Sequence, residues 1–378
     1  MNVKRSGKIL FVVNVDWFFL SHRLPIALAA KKAGYEVTIV AADTGVSDKI
    51  TREGLNFIDI PELEKNQPFL SELKMIFRLK SLYKKLRPDL VHHVTIRPVL
   101  YGSLAARMAR VFALVNALSG LGYVYMNNTF KHRVIKKILN IMFRTGFKHP
   151  NSRLILQNND DIELFLKRKL IHQNNVVLIR GSGVNVNTFT PVKKSNDKIQ
   201  VALIGRMLRD KGVEEFIEAA KILTKNGSEA EFHLYGAPYE SNPTSIPESD
   251  IKDWAKNKWL YYHGHCDNIS EELNEIDIVC LPSYREGLPK SLLEAASAEI
   301  PIVTTDVPGC REVVEDGVNG YLVPAKNVEL LASRIENLIN DPKLRSDFGK
   351  KGREKVIREF SQERIVKQTL DLYKELLN

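Results

Sequence analysis

Seven residues separate Glu286 from Glu294 in the run SYREGLPKSLLEA, 283–295. The apolar run just before it, 276–281, reads as a buried strand that ends in a turn at Pro282-Ser283. Pro289 suits the first position of a helix, where a missing N–H is no loss, and Leu292, Leu293 and Ala296 continue that helix. Glu286 is therefore expected in a strand-to-helix loop, and Glu294 near the start of the helix. Between them, around Gly287, the N–H groups of Leu288, Lys290 and Ser291 would point outward from a positive helix end, where a phosphate binds. Carboxylates accept strong, charge-assisted hydrogen bonds from hydroxyls. The pattern suits a ligand with hydroxyls at both ends and a diphosphate between them. The plainer alternative is a loop glutamate and a helix-surface glutamate, both solvated.

A second constellation lies upstream. Residues 205–212, GRMLRDKG, fall between an expected strand at 199–204 and a helix at 213–223. Arg206 can grip a phosphate bidentately and Lys211 can act on it as a point charge. Here too a solvated surface turn is the alternative.

The elements that must position these groups alternate between strand and helix. Strands are expected at 8–13, 35–41, 55–60, 88–93, 153–158 and 176–180, with helices at about 22–33 and 71–86. In the second half, strands at 199–204, 232–235, 260–265, 276–281, 301–305 and 320–323 alternate with helices at 213–223, 309–313 and 328–340. Such alternation predicts doubly wound parallel sheets, and 378 residues suit two domains. The break is expected at 190/191, after the glycine turn 181–183 and before the polar run 193–198, with 191–360 as the second domain.

The pattern Pro-Ser-x-x-Glu-Gly-x-Pro, four residues and Glu-Ala (282–295), resembles the signature of the retaining glycosyltransferases of family 4. The resemblance implies an α/β GT-B fold, two Rossmann-like doubly wound domains facing a cleft, with a C-terminal helix (361–378) bracing the first. It implies that Glu286 contacts the sugar of a nucleotide-diphosphate donor, that Glu294 holds the ribose, and that Arg206 and Lys211 bind the diphosphate. It places residues 260–265, His265 included, beside the base. A UDP-linked hexose or N-acetylhexosamine is the donor implied, with no cofactor and no catalytic metal.

In parallel sheets ligands lie beyond the carboxyl ends of strands. That makes His22 and Arg23 after the first strand, and His93 and Arg97 after the fourth, candidates on the acceptor side. A helix cap at Ser21 with solvated His22 and Arg23 is the alternative. His92 and His93 alternate faces, so at most one should turn to a ligand. The runs TIRPVLYG (95–102) and NALSGLGY (116–123) are similar to a subgroup that extends lipid-linked sugar chains, which adds Asn116 and Ser119. Relatives in that family often carry a histidine in this second run and glycines after the first strand; this chain has neither.

Charge divides unevenly. Residues 1–190 hold 29 Lys+Arg against 13 Asp+Glu, whereas 191–378 hold 26 against 32. Between Asp89 and Asp160 there are ten basic residues and no acidic one. Such a field suits an anionic membrane or polyanion. Residues 131–147 read as an amphipathic helix with Val134, Ile135, Ile138, Leu139, Met142 and Phe143 on one face and Arg133, Lys136, Lys137 and Arg144 on the other. It either lies in a membrane interface or packs on the sheet with a solvated basic face. The uncharged stretch 111–128 carries Asn116, Ser119 and two glycines and reads as core strand plus loop. Three cysteines without metal spacing point to a reducing cytoplasm.

These observations predict a transferase moving a sugar from a nucleotide-diphosphate donor to a lipid-linked or soluble glycan acceptor, a polyprenyl-diphosphate saccharide being the one implied. The protein would be cytoplasmic, attached at the inner face of the cell membrane. A non-hydrolytic UDP-sugar epimerase on the same fold is the second reading, and the one-sided basic domain argues against it. A nucleic-acid-binding protein is the third, disfavoured because no recognition module or interleaved aromatics accompany the charge.

Overall fold

The computed structural model describes residues 7–64, 69–120, 130–192, 197–240 and 242–378. The chain divides into two compact units, Met1–Ser182 with Arg364–Asn378, and Gly183–Glu363.

The first unit holds a seven-stranded parallel sheet of order β3-β2-β1-β4-β5-β6-β7. Its elements are β1 (Lys8–Val15), α1 (Asp16–His22), α2 (Leu24–Lys32), β2 (Glu36–Ala42), α3 (Ser47–Arg52), β3 (Asn56–Asp59), α4 (Phe69–Leu86), β4 (Leu90–Val94), α5 (Ser103–Ala109), β5 (Ala113–Ala117), α6 (Phe130–Gly146), β6 (Ser152–Leu156), α7 (Asn159–Lys167) and β7 (Val176–Leu178). β1 and β4 sit centrally and are almost wholly buried, as strands covered on both faces should be. The C-terminal helix, Gln362–Leu377, packs Ile365, Leu372, Tyr373 and Leu376 into the same core as Phe11, Phe19 and Ile39.

The stretch between the strand expected at 8–13 and the helix expected from about 22 is mostly helix. β1 runs to Val15 and α1 starts at Asp16, whose buried carboxylate accepts from Thr44 N (2.9 Å), Thr44 Oγ1 (2.5 Å) and Val46 N (3.1 Å). Those bonds tie the strand end to the loop after β2, a tertiary contact that periodicity does not report. α5 and α7 also have no counterpart among the expected elements.

The second unit holds a six-stranded parallel sheet, β10-β9-β8-β11-β12-β13. It comprises β8 (Gln200–Ile204), α8 (Val213–Lys225), β9 (Glu231–Tyr235), α9 (Glu248–Trp254), β10 (Leu260–Gly264), α10 (Ile269–Glu272), β11 (Ile278–Leu281), α11 (Lys290–Ser297), β12 (Ile302–Thr305), α12 (Cys310–Val313), β13 (Gly320–Val323), α13 (Val328–Asn340) and α14 (Pro342–Phe360). Phe216, Phe232, Leu292 and Phe360 belong to one continuous core.

The division at Ser182 precedes the expected one at 190. Val184 N donates to Phe360 O (3.0 Å), Gln362 N to Val184 O (2.9 Å), and Arg353 Nη1 to Phe189 O (2.8 Å), so the stretch after the glycine turn belongs to the second unit. Residues 121–123 of the second glycine-bearing run and 193–196 of the polar run lie outside the described residues, as do the side chains of Lys131 and Val134. Among the described residues no helix is long and apolar enough to cross a membrane.

Candidate active site

In the second unit, three loops at the carboxyl ends of neighbouring strands converge. The loop after β8 carries Arg206 and, in a short turn at Arg209–Lys211, Lys211. The loop after β11 carries Glu286, and the one after β12 closes against it: Glu286 N donates to Pro308 O at 3.2 Å. Gly309 permits that approach. It adopts φ +81°, and a Cβ there would lie 2.6 Å from Gly287 O and 2.8 Å from Glu286 O, a place only glycine can fill.

Lys211 Nζ and Glu286 Oε1 form an ion pair with both side chains mostly buried, 19% and 11% exposed. Ser283 Oγ donates to the same oxygen at 2.6 Å. Ser283 is itself fully buried, and its carbonyl accepts from Thr305 Oγ1. Tyr284 N donates to Asp210 O at 2.9 Å, locking the β11 loop to the β8 loop. The glutamate is therefore held by one cation and one hydroxyl, both placed by backbone contacts.

Pro289 is the N-cap of α11 and no side chain caps that end, so the first-turn N–H groups stay available to an anion. Lys290 Nζ lies 3.2 Å from Glu294 Oε1. Glu294 is 7% exposed, and burial pushes its carboxyl above the usual range while Lys290 pulls the other way. Leu288 is half-buried against the core, and Gly287 and Pro289 are buried. His265 follows β10, is exposed, and sits 3.4 Å from Asp267 Oδ1.

Arg206 is exposed and forms no ion pair among the described residues; its guanidinium carbon lies 5.1 Å from the Tyr239 ring centre. Arg209 pairs with Glu214 instead (3.1 Å). Arg206, Lys211, Glu286 and Glu294 thus all stand on one unit. Ser283 and Tyr239 were not singled out by the sequence reading, though Ser283 stands in the motif itself.

In the first unit several expectations are corrected. Arg23 is 3% exposed, donates to His22 O (2.9 Å), and burial lowers its pKa to about 10. His92 and His93 are both buried, rather than one facing a ligand. Each face of the sheet is covered: His92 Nδ1 meets Tyr373 Oη of the C-terminal helix (2.5 Å), and His93 Nε2 meets Tyr83 Oη of α4 (3.0 Å). His93 Nδ1 lies 2.9 Å from Asn116 Oδ1, an acceptor only, so Nδ1 carries the proton and Nε2 accepts from Tyr83. Burial lowers the His93 pKa to about 4. Asn116 is fully buried and also accepts from Ser103 Oγ (2.8 Å). These two residues form a packed polar network with no ligand-facing surface.

Arg97 is neutralised by Glu72 at 2.9 Å and donates to Glu62 O at 3.0 Å. His22 stacks on Phe18 with ring centres 4.1 Å apart. Ser119 follows β5 half-buried.

The face of α6 also differs from expectation. Phe143 is buried, Met142 and Leu139 pack beside it, and Lys136 is only 8% exposed. Outward stand Ile138, Ile141, Arg133, Lys137 and Arg144, the last bonded to Arg168 O (2.8 Å). A broad apolar run exceeds the one stripe that the sheet can cover, so two isoleucines remain outside.

Residues 186–355 match the family model "Glycosyl transferases group 1", and residues 8–159 match "Glycosyl transferase 4-like". Both are models of glycosyltransferases, one on each unit, and the fold is GT-B. It is 29% identical over 385 residues to the N,N'-diacetylbacillosaminyl-diphospho-undecaprenol alpha-1,3-N-acetylgalactosaminyltransferase of Campylobacter jejuni, covering 95% of this chain and 98% of that one. It is 23% identical to the UDP-Gal:alpha-D-GlcNAc-diphosphoundecaprenol alpha-1,3-galactosyltransferase of Escherichia coli, over 91% of this chain and 90% of that one. In fold it is similar to Anabaena HepE in complex with UDP, with TM-score 0.78 at 17% identity, covering 97% of this chain and all of that one.

Proposed function

We propose that the protein is a retaining family 4 glycosyltransferase. It transfers a hexosyl or N-acetylhexosaminyl group from a UDP-sugar to a polyprenyl-diphosphate-linked saccharide in cell-surface polysaccharide synthesis. The observation that carries this is the Lys211–Glu286 pair and Glu294 about the uncapped start of α11, with Arg206 on the same loop as Lys211. Arg206, Lys211 and the helix start would take the charge that develops on the departing diphosphate as the bond from the sugar C1 to it breaks. Fixed cations and dipoles aimed at such charge supply a large part of catalysis. Glu286 would accept from sugar hydroxyls and Glu294 from the ribose. C1 then bonds to the acceptor hydroxyl oxygen with its configuration kept, and the hydroxyl's proton passes to the departing diphosphate. No cofactor and no metal enters this reading.

The acceptor assignment rests on what the two undecaprenol-linked relatives are named for, and on the basic character of the first unit. A lipid-linked acceptor implies peripheral attachment at the cytoplasmic face of the cell membrane. Incubation with UDP-sugars, with and without a polyprenyl-diphosphate saccharide, tests the reading by product mass and by the anomeric configuration of the new linkage. Acceptor-independent conversion of the UDP-sugar, or an inverted linkage, overturns it.

A further inference from the structure

Arg206 would grip the donor diphosphate only if something aims its long side chain. Among the described residues no carboxylate does so, and the aromatic ring of Tyr239 lies against it at 5.1 Å. A guanidinium resting on a ring uses its face for the contact and leaves its in-plane N–H donors open. A carboxylate in the same place would occupy those donors and repel a diphosphate. A tyrosine thus orients Arg206 without competing for its ligand.

Tyr239 is itself fixed in place. Its N–H donates to Ser245 Oγ (2.9 Å), and its carbonyl accepts from Asn242 N (2.8 Å). The loop that bears it is bonded to the Arg206 loop along its length. Met207 N donates to Ala237 O (3.0 Å), Arg209 N to Thr244 O (2.8 Å), Ile246 N to Met207 O (2.9 Å), and Thr244 Oγ1 to Asp210 Oδ1 (2.6 Å). Gly236, at φ +137°, brings the two loops together: a Cβ there would lie 1.8 Å from Gly205 O. The two loops form one built wall, and the Arg206 guanidinium rests on its aromatic member.

We infer that Tyr239 is the positioning residue for Arg206, holding the guanidinium ready for the diphosphate of the nucleotide sugar. This rests on the donor-site reading above. It makes residues 237–240 and 242–247 part of the donor site.

Calorimetric titration of the full chain with UDP tests it, using Tyr239→Leu, Tyr239→Phe, Arg206→Ala and the Tyr239→Leu/Arg206→Ala pair. Tyr239→Leu should weaken UDP binding about threefold to thirtyfold, the span of exposed to desolvated cation–π contacts. Tyr239→Phe keeps the ring and should bind within twofold of wild type. Once Arg206 is alanine, Tyr239→Leu should add almost nothing, a non-additivity that general loop damage would not produce. Wild-type binding by Tyr239→Leu, equal loss in Tyr239→Phe, or additive losses in the pair would each overturn the assignment. If Arg206→Ala itself binds UDP normally, the donor-site reading fails first, which separates the two failures.

Discussion

Lys211 and Glu286 form one ion pair, and under the proposed function that makes their substitutions asymmetric. A diphosphate drawing Lys211 away would release Glu286 Oε1 toward the sugar. Glu286→Gln should therefore lower turnover while UDP alone binds as well as before or better, since Lys211 no longer has a carboxylate to leave. Glu294→Gln should instead weaken UDP binding. Calorimetry that returns the opposite pair would reverse the two ends of the ligand. Arg206→Ala and Lys211→Ala should each reduce kcat/KM by about 2–4 kcal/mol of transition-state stabilisation, as removal of an oxyanion donor does. The melting temperature of Arg206→Ala should stay near wild type, whereas Lys211→Ala should lower it by leaving the buried Glu286 carboxylate without its cation; unimpaired turnover in both would refute the clamp.

Glu294 carries a further consequence at the same scale. Its folded-state pKa is raised by burial, so the folded state binds protons more tightly there than the unfolded chain does. That stabilising contribution is complete below the unfolded glutamate pKa and is lost as pH rises through the folded one. At neutral pH the buried charge is a cost. Glu294→Gln should melt at or above the wild-type temperature at pH 7, and that advantage should vanish below about pH 4.3, the unfolded value. A lower melting temperature at pH 7 would mean that the Lys290 pair outweighs burial.

Among the elements, the central strands and the loop before α11 were legible because their signals are local. Residues 278–281 are apolar without interruption, and Pro-Ser followed by Glu-Gly-x-Pro states the turn and helix start in sequence. α1 was not legible, because Asp16 looks like a loop residue until Thr44 and Val46 are seen to satisfy it. His93 and Asn116 read as ligand-facing for a similar reason. Polar residues near a strand end suggest function, and only the packed partners Tyr83 and Ser103 show them to be an internal network. Tyr239 sits in an irregular stretch whose bonds to residues 207–210 leave no periodic trace.

The membrane expectation changes its residues at this scale. On α6 the outward apolar side chains are Ile138 and Ile141, not Met142 and Phe143. α4 and α5 pack side by side and α5 touches α6; they expose Phe77 and Met108, with Phe112 just beyond α5. Between Glu72 and Asp89 there are six basic residues and no acidic one. Sedimentation with vesicles should show binding that rises with anionic lipid and falls with salt. Lys84→Glu, Lys137→Glu and Lys148→Glu should each weaken it about fivefold or more, since a basic residue near the surface is worth about 1 kcal/mol. Ile141→Ser and Phe77→Ser should weaken it as well. Indifference of the wild type to anionic lipid would remove the membrane from the reading.

For the molecule as a whole, the two units have separate cores, and the C-terminal helix belongs to the first. Tyr373 is fully buried there, against Phe11 and His92. Tyr373→Ala should destabilise that unit by about 3–5 kcal/mol, as truncation of a large core aromatic does. Differential scanning calorimetry should then show an early transition for the first unit, with the second melting near its usual temperature. A single shifted transition would show the two cores to be thermodynamically one.

That same helix makes the first unit discontinuous in the chain: residues 183–363 are threaded between its two parts. During synthesis the strands of the first sheet leave the ribosome before the second unit, yet the surface meant for Ile365, Leu372 and Tyr373 stays uncovered until that helix has been made. The second unit is continuous and can close as soon as it has emerged, since domains fold as units. The half that starts first therefore finishes last, and it spends the time of about two hundred codons, some tens of seconds at bacterial speed, with an apolar sheet face exposed to whatever chaperone is near.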